Sequence, residues 1–508
     1  MKIKASQIGT HEGAPQTPRG AGVRGASLSA LWAERLALAG LVLYSAAAPH
    51  SIAGAWFGLS FAVLGWLVRT LATRETGIRR TALDAPLWLF FAWTILSSAL
   101  SAEPRISLGK LTSASAFLVF YLAQALLTRR RAVLLAALLV ASGAAGALWS
   151  VCEVVAGRGV LVRGVGAESP FRVATPLEAG DAIWRAGGRR VSSVEEIDEA
   201  IRRTPTGARL SLSVISRGEH VEWDGPVVTE AIKTFASPSM LSGGGRTHAF
   251  RASGWTRHYE TFAESLQIIA QLALGFALAA WQRRERRERT RALRVVLPLA
   301  AFTLLAAGIA LTAMRTVLVA FAVGASVVAW RSAARGRARL LILSAVALAL
   351  ALGAFAVWRT RSSGAIFLRD DSAALRLQVA RVALERTWRH PVFGHGMDAV
   401  KRHWQEWGFP GTVQIHTHST PLQLAFDRGL PALLFWLWLV LAFWLLATRA
   451  EKIWRATDDA GTHGLLLGAT GALAGFFASS LVNYNFGDAE VALLVWWLMG
   501  AVVVSSKQ

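Results

Sequence analysis

Runs of about 20 apolar residues recur along this 508-residue chain, each long enough to cross a hydrocarbon layer roughly 30 Å thick. Inside such a layer every backbone amide must find its partner within the segment, which makes helices the spanning element. Composition agrees: 54% of the residues are hydrophobic and mean hydropathy is +0.41, too apolar for a soluble protein of this length. The expected fold class is an all-α polytopic membrane protein of about 12 transmembrane helices. A periplasmic helical loop and a small inserted α+β domain interrupt the helices.

Spans are read at 36–50, 52–70, 83–101, 111–128, 132–154, 260–281, 294–312, 316–331, 339–358, 429–447, 463–483 and 488–505. The first two form a tight hairpin around Pro49 and His50. Basic residues collect in alternate short connections: Arg69, Arg74, Arg79 and Arg80; then 129–131; then 283–294; then Arg331, Arg335, Arg337 and Arg339; then Arg449, Lys452 and Arg455. Such connections face the cytoplasm, so both termini are expected there, and segments 155–259 and 359–428 face outward. The net charge of +22 follows this alternation and not one folded basic face, which excludes a nucleic-acid partner. Cys152 is the single cysteine and can form neither an internal disulfide nor a cysteine-rich metal site.

The chain therefore divides into a disordered cytoplasmic tail (1–30), helices 1–5 (31–156) and an inserted domain (157–231). Helices 6–9 (232–358), a periplasmic catalytic loop (359–428) and helices 10–12 (429–508) follow. The tail is rich in Gly, Pro and Ser and has no apolar region followed by a cleavage site, so the first span is read as retained.

Residues 157–231 change character, with alternating runs such as Leu210 to Ile215 and an amphipathic stretch at 193–203. The opening "GRGVLV", Leu177, the Gly180-Asp181-x-Ile183 turn, the Gly187-Gly188 turn, the helix "SSVEEIDEAI" and the strand "RLSLSVISRG" together resemble a bacterial PDZ domain. That resemblance implies capture of an extended peptide by strand addition, with a carboxylate loop near Gly157 to Val160. The alternative is a spacer that binds nothing.

The second outer segment carries an amphipathic helix with Leu377, Ala380, Val382 and Leu384, stopped by Pro391 and the turn Gly394-His395-Gly396. His418-Ser419, nine residues, Gly429, then Leu430, Pro431 and Ala432 resemble the signature of the O-antigen ligase family. Ala432 departs from the Gly, Thr or Tyr usual there. "HPVFGHG" is similar to the family's Pro-x-x-Gly-x-Gly turn, and "AEPRISLGKL" at 102–111 to its early periplasmic connection. "RASG" at 251–254 and "LTAMRTVLVAF" at 311–321 resemble two further family segments, with Met314 in place of a Ser.

The resemblance implies an undecaprenyl-pyrophosphate-linked glycan donor and a lipid A-core or similar glycan acceptor at the inner membrane, with no cofactor. Arg251 and Arg315 would bind the pyrophosphate, because a guanidinium is permanently charged and grips phosphate oxygens in a fork. His418 would act as general base on the acceptor hydroxyl. Direct displacement would invert the anomeric centre. His416, Arg257, Arg376 and Glu264 are supporting candidates, Glu264 to orient an arginine or the acceptor. In an extended segment His416 and His418 would point to one side, as metal ligands can. No carboxylate lies close in sequence, and no metal is expected. The competing readings are a polymerase of the same superfamily and a membrane scaffold or transporter whose PDZ-like unit recruits a partner.

Overall fold

The computed structural model describes residues 28–174, 177–256, 258–283, 288–333, 336 and 371–506. Most of the tail at 1–30, the span read at 339–358 and Arg257 lie outside the described residues.

Helices α1 (Leu28–Ala47) and α2 (Ile52–Thr73) form the hairpin expected around Pro49 and His50. Ser51 caps α2, its hydroxyl accepting the Gly54 N–H at 3.2 Å. The pair touches along small residues. A Cβ on Gly40 would lie 2.5 Å from the Ala62 nitrogen, and one on Gly58 2.5 Å from the Tyr44 nitrogen. Lipid supplies no hydrophobic drive for helix association, so close backbone contact takes its place.

After α3 (Asp84–Ala99), the span read at 111–128 forms one apolar helical run over Leu111–Leu126 that tightens midway, as Leu111–Ala114, a 3-10 turn at Ser115–Phe117 and α4 (Leu118–Leu126). The Ser115 hydroxyl donates to the Thr112 carbonyl at 2.7 Å, the local competition by which hydroxyl side chains disturb helices. Helix α5 (Arg129–Ala156) follows, capped by Thr128.

The inserted domain has its own apolar core, including Val162, Phe171, Ile183, Ile197, Leu212 and Val214. In chain order it contains β1 (Val160–Val165), β2 (Ala182–Ala186), β3 (Arg189–Arg190), α6 (Val194–Arg203), β4 (Arg209–Ser216), β5 (Glu219–Val227) and β6 (Leu241–Gly243). The sheet order is β5-β4-β2-β1-β6, antiparallel throughout, with β3 paired to β2. Ser193 caps α6 through the Glu196 N–H, and the Glu196 carboxylate accepts the Ser192 N–H at 2.6 Å. Because β6 belongs to the sheet, the folded unit runs past the boundary expected at residue 231.

Among the described residues helix α7 (Tyr259–Trp281) is the most buried of the long apolar helices, with 83% of its apolar window covered against at most 44% for the others. Helices α8 (Glu288–Leu311) and α9 (Arg315–Ser332) pack against it. In α10 (Asp371–Arg389) the buried face differs from the expected one. Val379 and Ala383 are fully buried, whereas Leu377 and Leu384 are 67% and 52% exposed. Trp404, Phe409 and Phe426 gather with Val379 and Ala383, which stand one helical turn apart. Helices α11 (Thr420–Trp454), α12 (Ala460–Ser480) and α13 (Ala489–Ser505) complete the bundle.

Among the described residues seven helices are long and apolar enough to cross a membrane: α1, α2, α5, α7, residues Ala292–Leu311 of α8, α9 and α11. The chain is a multi-pass membrane protein. Three other expected spans form the shorter helices α3, α4 and α13, and a fourth forms α12, which is rich in glycine and alanine.

Near the C-terminal end of α11, buried Glu451 accepts from Arg331 at 2.5 Å and from Arg455 at 2.9 Å, with the His463 ring nitrogen 3.1 Å away. This cluster ties α9, α11 and α12 together at the end opposite the signature.

Candidate active site

Gly429 breaks α11, with φ 81° and ψ 170°, a conformation essentially confined to glycine. The stretch 420–428 is thereby set apart from the long apolar part of the helix. The turn at 391–396 takes up the backbone groups that the break releases. His395 and Gly396 donate their N–H groups to the Phe426 and Asp427 carbonyls at 2.8 and 2.9 Å, and Leu430 donates to the Pro391 carbonyl at 2.7 Å. The Pro-x-x-Gly-x-Gly turn and the signature glycine are thus two halves of one joint. His395 stacks on Phe426 with ring centroids 4.6 Å apart, and its Nε2 lies 3.1 Å from the Arg386 carbonyl. Burial lowers its pKa to about 4, so it is a neutral packing residue of the joint.

His416 and the signature His418 lie just before the short helical stretch 420–428. Ser419 is its N-cap, the hydroxyl accepting the Leu422 N–H at 3.5 Å. His418 has φ 58°, so the segment is not extended there, and the expected one-sided arrangement of His416 and His418 is replaced by a turn. The rings meet edge to face, centroids 4.5 Å apart, and the His416 Nδ1 accepts the His418 N–H at 3.2 Å. Burial first, then the Arg376 guanidinium, lowers the His416 pKa to about 4. Burial, His416 and Arg376 do the same for His418. Both imidazoles are therefore neutral near pH 7 and able to accept a proton. Among the described residues no group of three or more His, Cys, Asp or Glu is arranged to hold a metal ion.

A buried polar network joins this helix end to that of Arg315. The Asn483 carbonyl accepts the Thr420 N–H at 3.1 Å, and its side-chain amide donates to Thr316 Oγ1 and Glu264 Oε1, each at 3.1 Å. Ser479 also donates to Glu264, and Asn485 donates to its other oxygen at 3.4 Å. Glu264 therefore holds the loop after α12; no arginine is bonded to it among the described residues. Arg315 stands beside Thr316 at the first turn of α9, half-buried, with no hydrogen bond or ion pair to the described residues.

Arg251 reaches the same end of the bundle by another route. The Ala252 N–H donates to the Leu311 carbonyl at 3.0 Å, four residues before Arg315. The Arg251 guanidinium pairs with Glu219 of the inserted domain at 3.2 Å and lies 4.5 Å from the Tyr259 ring centre. The sequence alone did not bring Glu219 to this arginine. Arg376 on α10 faces the histidine pair, close enough to lower both imidazoles.

Beside the histidines lies a cavity of about 390 Å³. Its polar wall includes Lys110, Asp398, Asp427, Arg428 and Tyr484, and its apolar wall includes Phe90 and Trp496. Tyr484 links the two regions, its ring centre 5.7 Å from that of His416. Lys110 pairs with Asp398 at 3.1 Å. Arg428 is 6% exposed, donates to Thr94 at 3.4 Å and lies over the Phe90 ring. Buried Asp427 accepts from Gln423 at 2.8 Å, and Gln423 accepts the Thr417 N–H at 2.6 Å. Sequence reasoning passed over Asp427 and Arg428, although two adjacent charges directly before the signature glycine are unusual in an apolar run.

A family model described as O-Antigen ligase matches residues 299–437. The matched stretch contains Arg315, Arg376, His416, His418 and Gly429 and does not reach Arg251, Arg257 or Glu264. It supports the O-antigen ligase superfamily and a membrane glycan-transfer function. No curated protein matches the chain.

Proposed function

We propose that the chain transfers glycan from undecaprenyl pyrophosphate to a lipid A-core or similar acceptor, without a metal and with inversion. The reading carries with it about twelve spans in the inner membrane, cytoplasmic termini and a periplasmic site. The observation that carries it is the Asn483 bridge, which joins the helix end beside His418 to the helix end beside Arg315. A proton acceptor and a permanent cation at one end of the bundle are what the reaction needs.

The acceptor hydroxyl oxygen attacks the anomeric carbon, and the bond from that carbon to the pyrophosphate oxygen breaks. His418 takes the hydroxyl proton as the new bond forms. Undecaprenyl pyrophosphate leaves with the bonding electrons, and Arg315 and Arg251 stabilise the charge it gains. Free His418 is a weak base because burial and Arg376 disfavour its cation. A bound pyrophosphate offsets that guanidinium and raises the imidazole's proton affinity when donor is present. Arg251 is available despite Glu219, whose side chain is 49% exposed and whose pairing is correspondingly weak. Arg257 and Arg376 serve as auxiliary cations, and the PDZ-like unit is a peptide-binding module.

The test is transfer in proteoliposomes from a lipid-linked glycan to purified lipid A-core. Absence of transfer by well-inserted protein would refute the reading. Ala432, at a position that departs from the ligase pattern, favours keeping the polymerase as second reading. Extension of the lipid-linked glycan itself, with lipid A-core unmodified, would select it.

A further inference from the structure

The edge of β1 that strand addition would use is already covered, by the chain itself. Strand β1 has β2 on one side and β6 on the other, with Val162 opposite Gly243 and Val165 opposite Leu241. Pairing continues beyond β6: Gly244 donates to the Leu161 carbonyl and Leu161 to the Gly245 carbonyl, both at 3.1 Å. Arg158 and Thr247 exchange N–H···O bonds at 2.9 and 3.0 Å, at the loop expected to receive a ligand's carboxylate.

The other side of this segment is held by α6. Asp198 accepts the Ser239 N–H and the Ser237 hydroxyl, each at 2.8 Å, and Arg202 donates to the Ala236 carbonyl at 2.9 Å. The Leu241 side chain is buried in the domain core. One extended segment is thus bonded to a strand edge and to the neighbouring helix while its apolar side chain fills a pocket, the geometry by which a sheet receives a peptide.

The segment is also weakly built. Gly243, Gly244 and Gly245 contribute no side chains, and glycine loses more conformational freedom on ordering than any other residue. It leads directly to Arg251, whose N–H donates to the Gly218 carbonyl at 2.9 Å.

We propose that residues 236–247 are a built-in, displaceable strand ligand of the inserted domain, competing with an external extended peptide that carries an apolar side chain in the place of Leu241. The domain is self-occupied in the resting state. A partner peptide must displace the segment, and doing so loosens the tether that ends at Arg251.

The experiment uses the full chain in detergent and a fluorescein-labelled peptide with the sequence of residues 236–247, read by anisotropy. Wild type should bind it weakly, because its apparent affinity is reduced by the small fraction of open groove. Leu241→Asp, which places a charge where the core excludes it, should bind at least about tenfold more tightly. Ser237→Ala, which leaves Leu241 and the groove intact and removes the segment's own hydroxyl donor to Asp198, should shift affinity in the same direction. Hydrogen exchange across β4 and β5 verifies that the sheet survives in each variant. Equal affinity in wild type and both variants would overturn the proposal, as would no binding to a variant whose β4–β5 amides remain protected. Exchange in wild type at Gly244 and Thr247 as fast as in a free peptide would overturn it independently. None of these readouts depends on glycan transfer.

Discussion

A Cβ placed on Gly429 would lie 1.8 Å from the carbonyl oxygen of Val392. The signature glycine is required because another backbone occupies the space where a side chain would be, at a φ that other residues avoid. Gly429→Ala should cost about 1–3 kcal/mol in backbone strain alone, and the clash adds to it. Thermal unfolding in detergent should show a lower midpoint, and transfer should be lost with the joint.

His418→Asn separates chemistry from folding. Asn tolerates the left-handed backbone that His418 adopts, yet cannot act as the base. Transfer should fall by about 10²–10⁴-fold at unchanged thermal midpoint. In wild type the acid limb of kcat/KM reports the free protein, so it should appear near pH 4 and not near 6.5. Full activity of the variant would refute the role.

Arg315→Lys keeps the charge and removes the planar fork. Among the described residues the Arg315 side chain has no ion-pair or hydrogen-bond partner to lose. Transfer should fall by about 10²–10³-fold while protein level and melting stay as in wild type. A fall in stability matching the fall in rate would mark it as structural.

Glu451 is the stability counterpart. Removing this buried acceptor strands Arg331 and Arg455 beside a buried His463. Glu451→Ala should destabilise by about 3–5 kcal/mol, seen as early melting in detergent. The same variant assayed well below its melting point should retain the pH profile of wild type.

Four histidines give stability a pH-dependent part of one sign, opposed by His403, whose pKa Glu406 and Glu103 raise, and by Asp488, whose pKa burial raises. His220, His395, His416 and His418 are all lowered to about 4 by burial in the folded protein. Their unfolded values are near the ordinary 6.5, so between 6.5 and 4 the unfolded chain binds more protons. Their contribution to stability is full above that window and falls as pH drops through it. His395→Phe, which keeps a ring against Phe426 and cannot titrate, should make the decline shallower.

Much of the architecture was legible in the residues because long apolar runs have few fates. The α1–α2 hairpin, the helix of "SSVEEIDEAI" and the strand of "RLSLSVISRG" all form where local pattern places them. One expectation fails for a tertiary reason: Leu377 and Leu384 are exposed because neighbours decide which face of a helix is covered. The spacing of apolar residues in one segment contains no record of Trp404 or Phe426.

Sequence by itself determined that the chain enters a membrane, that a folded unit interrupts the helices, and which histidine and glycine stand at fixed separation, since each depends on residues close along the chain. Only tertiary structure decided that Val392 fills the space beside Gly429, that Asn483 bridges Thr420 to Thr316, that Glu219 reaches Arg251, and that β6 covers β1. Those contacts join segments tens to hundreds of residues apart, and buried polar groups there must be satisfied by whichever partner the packed helices bring near.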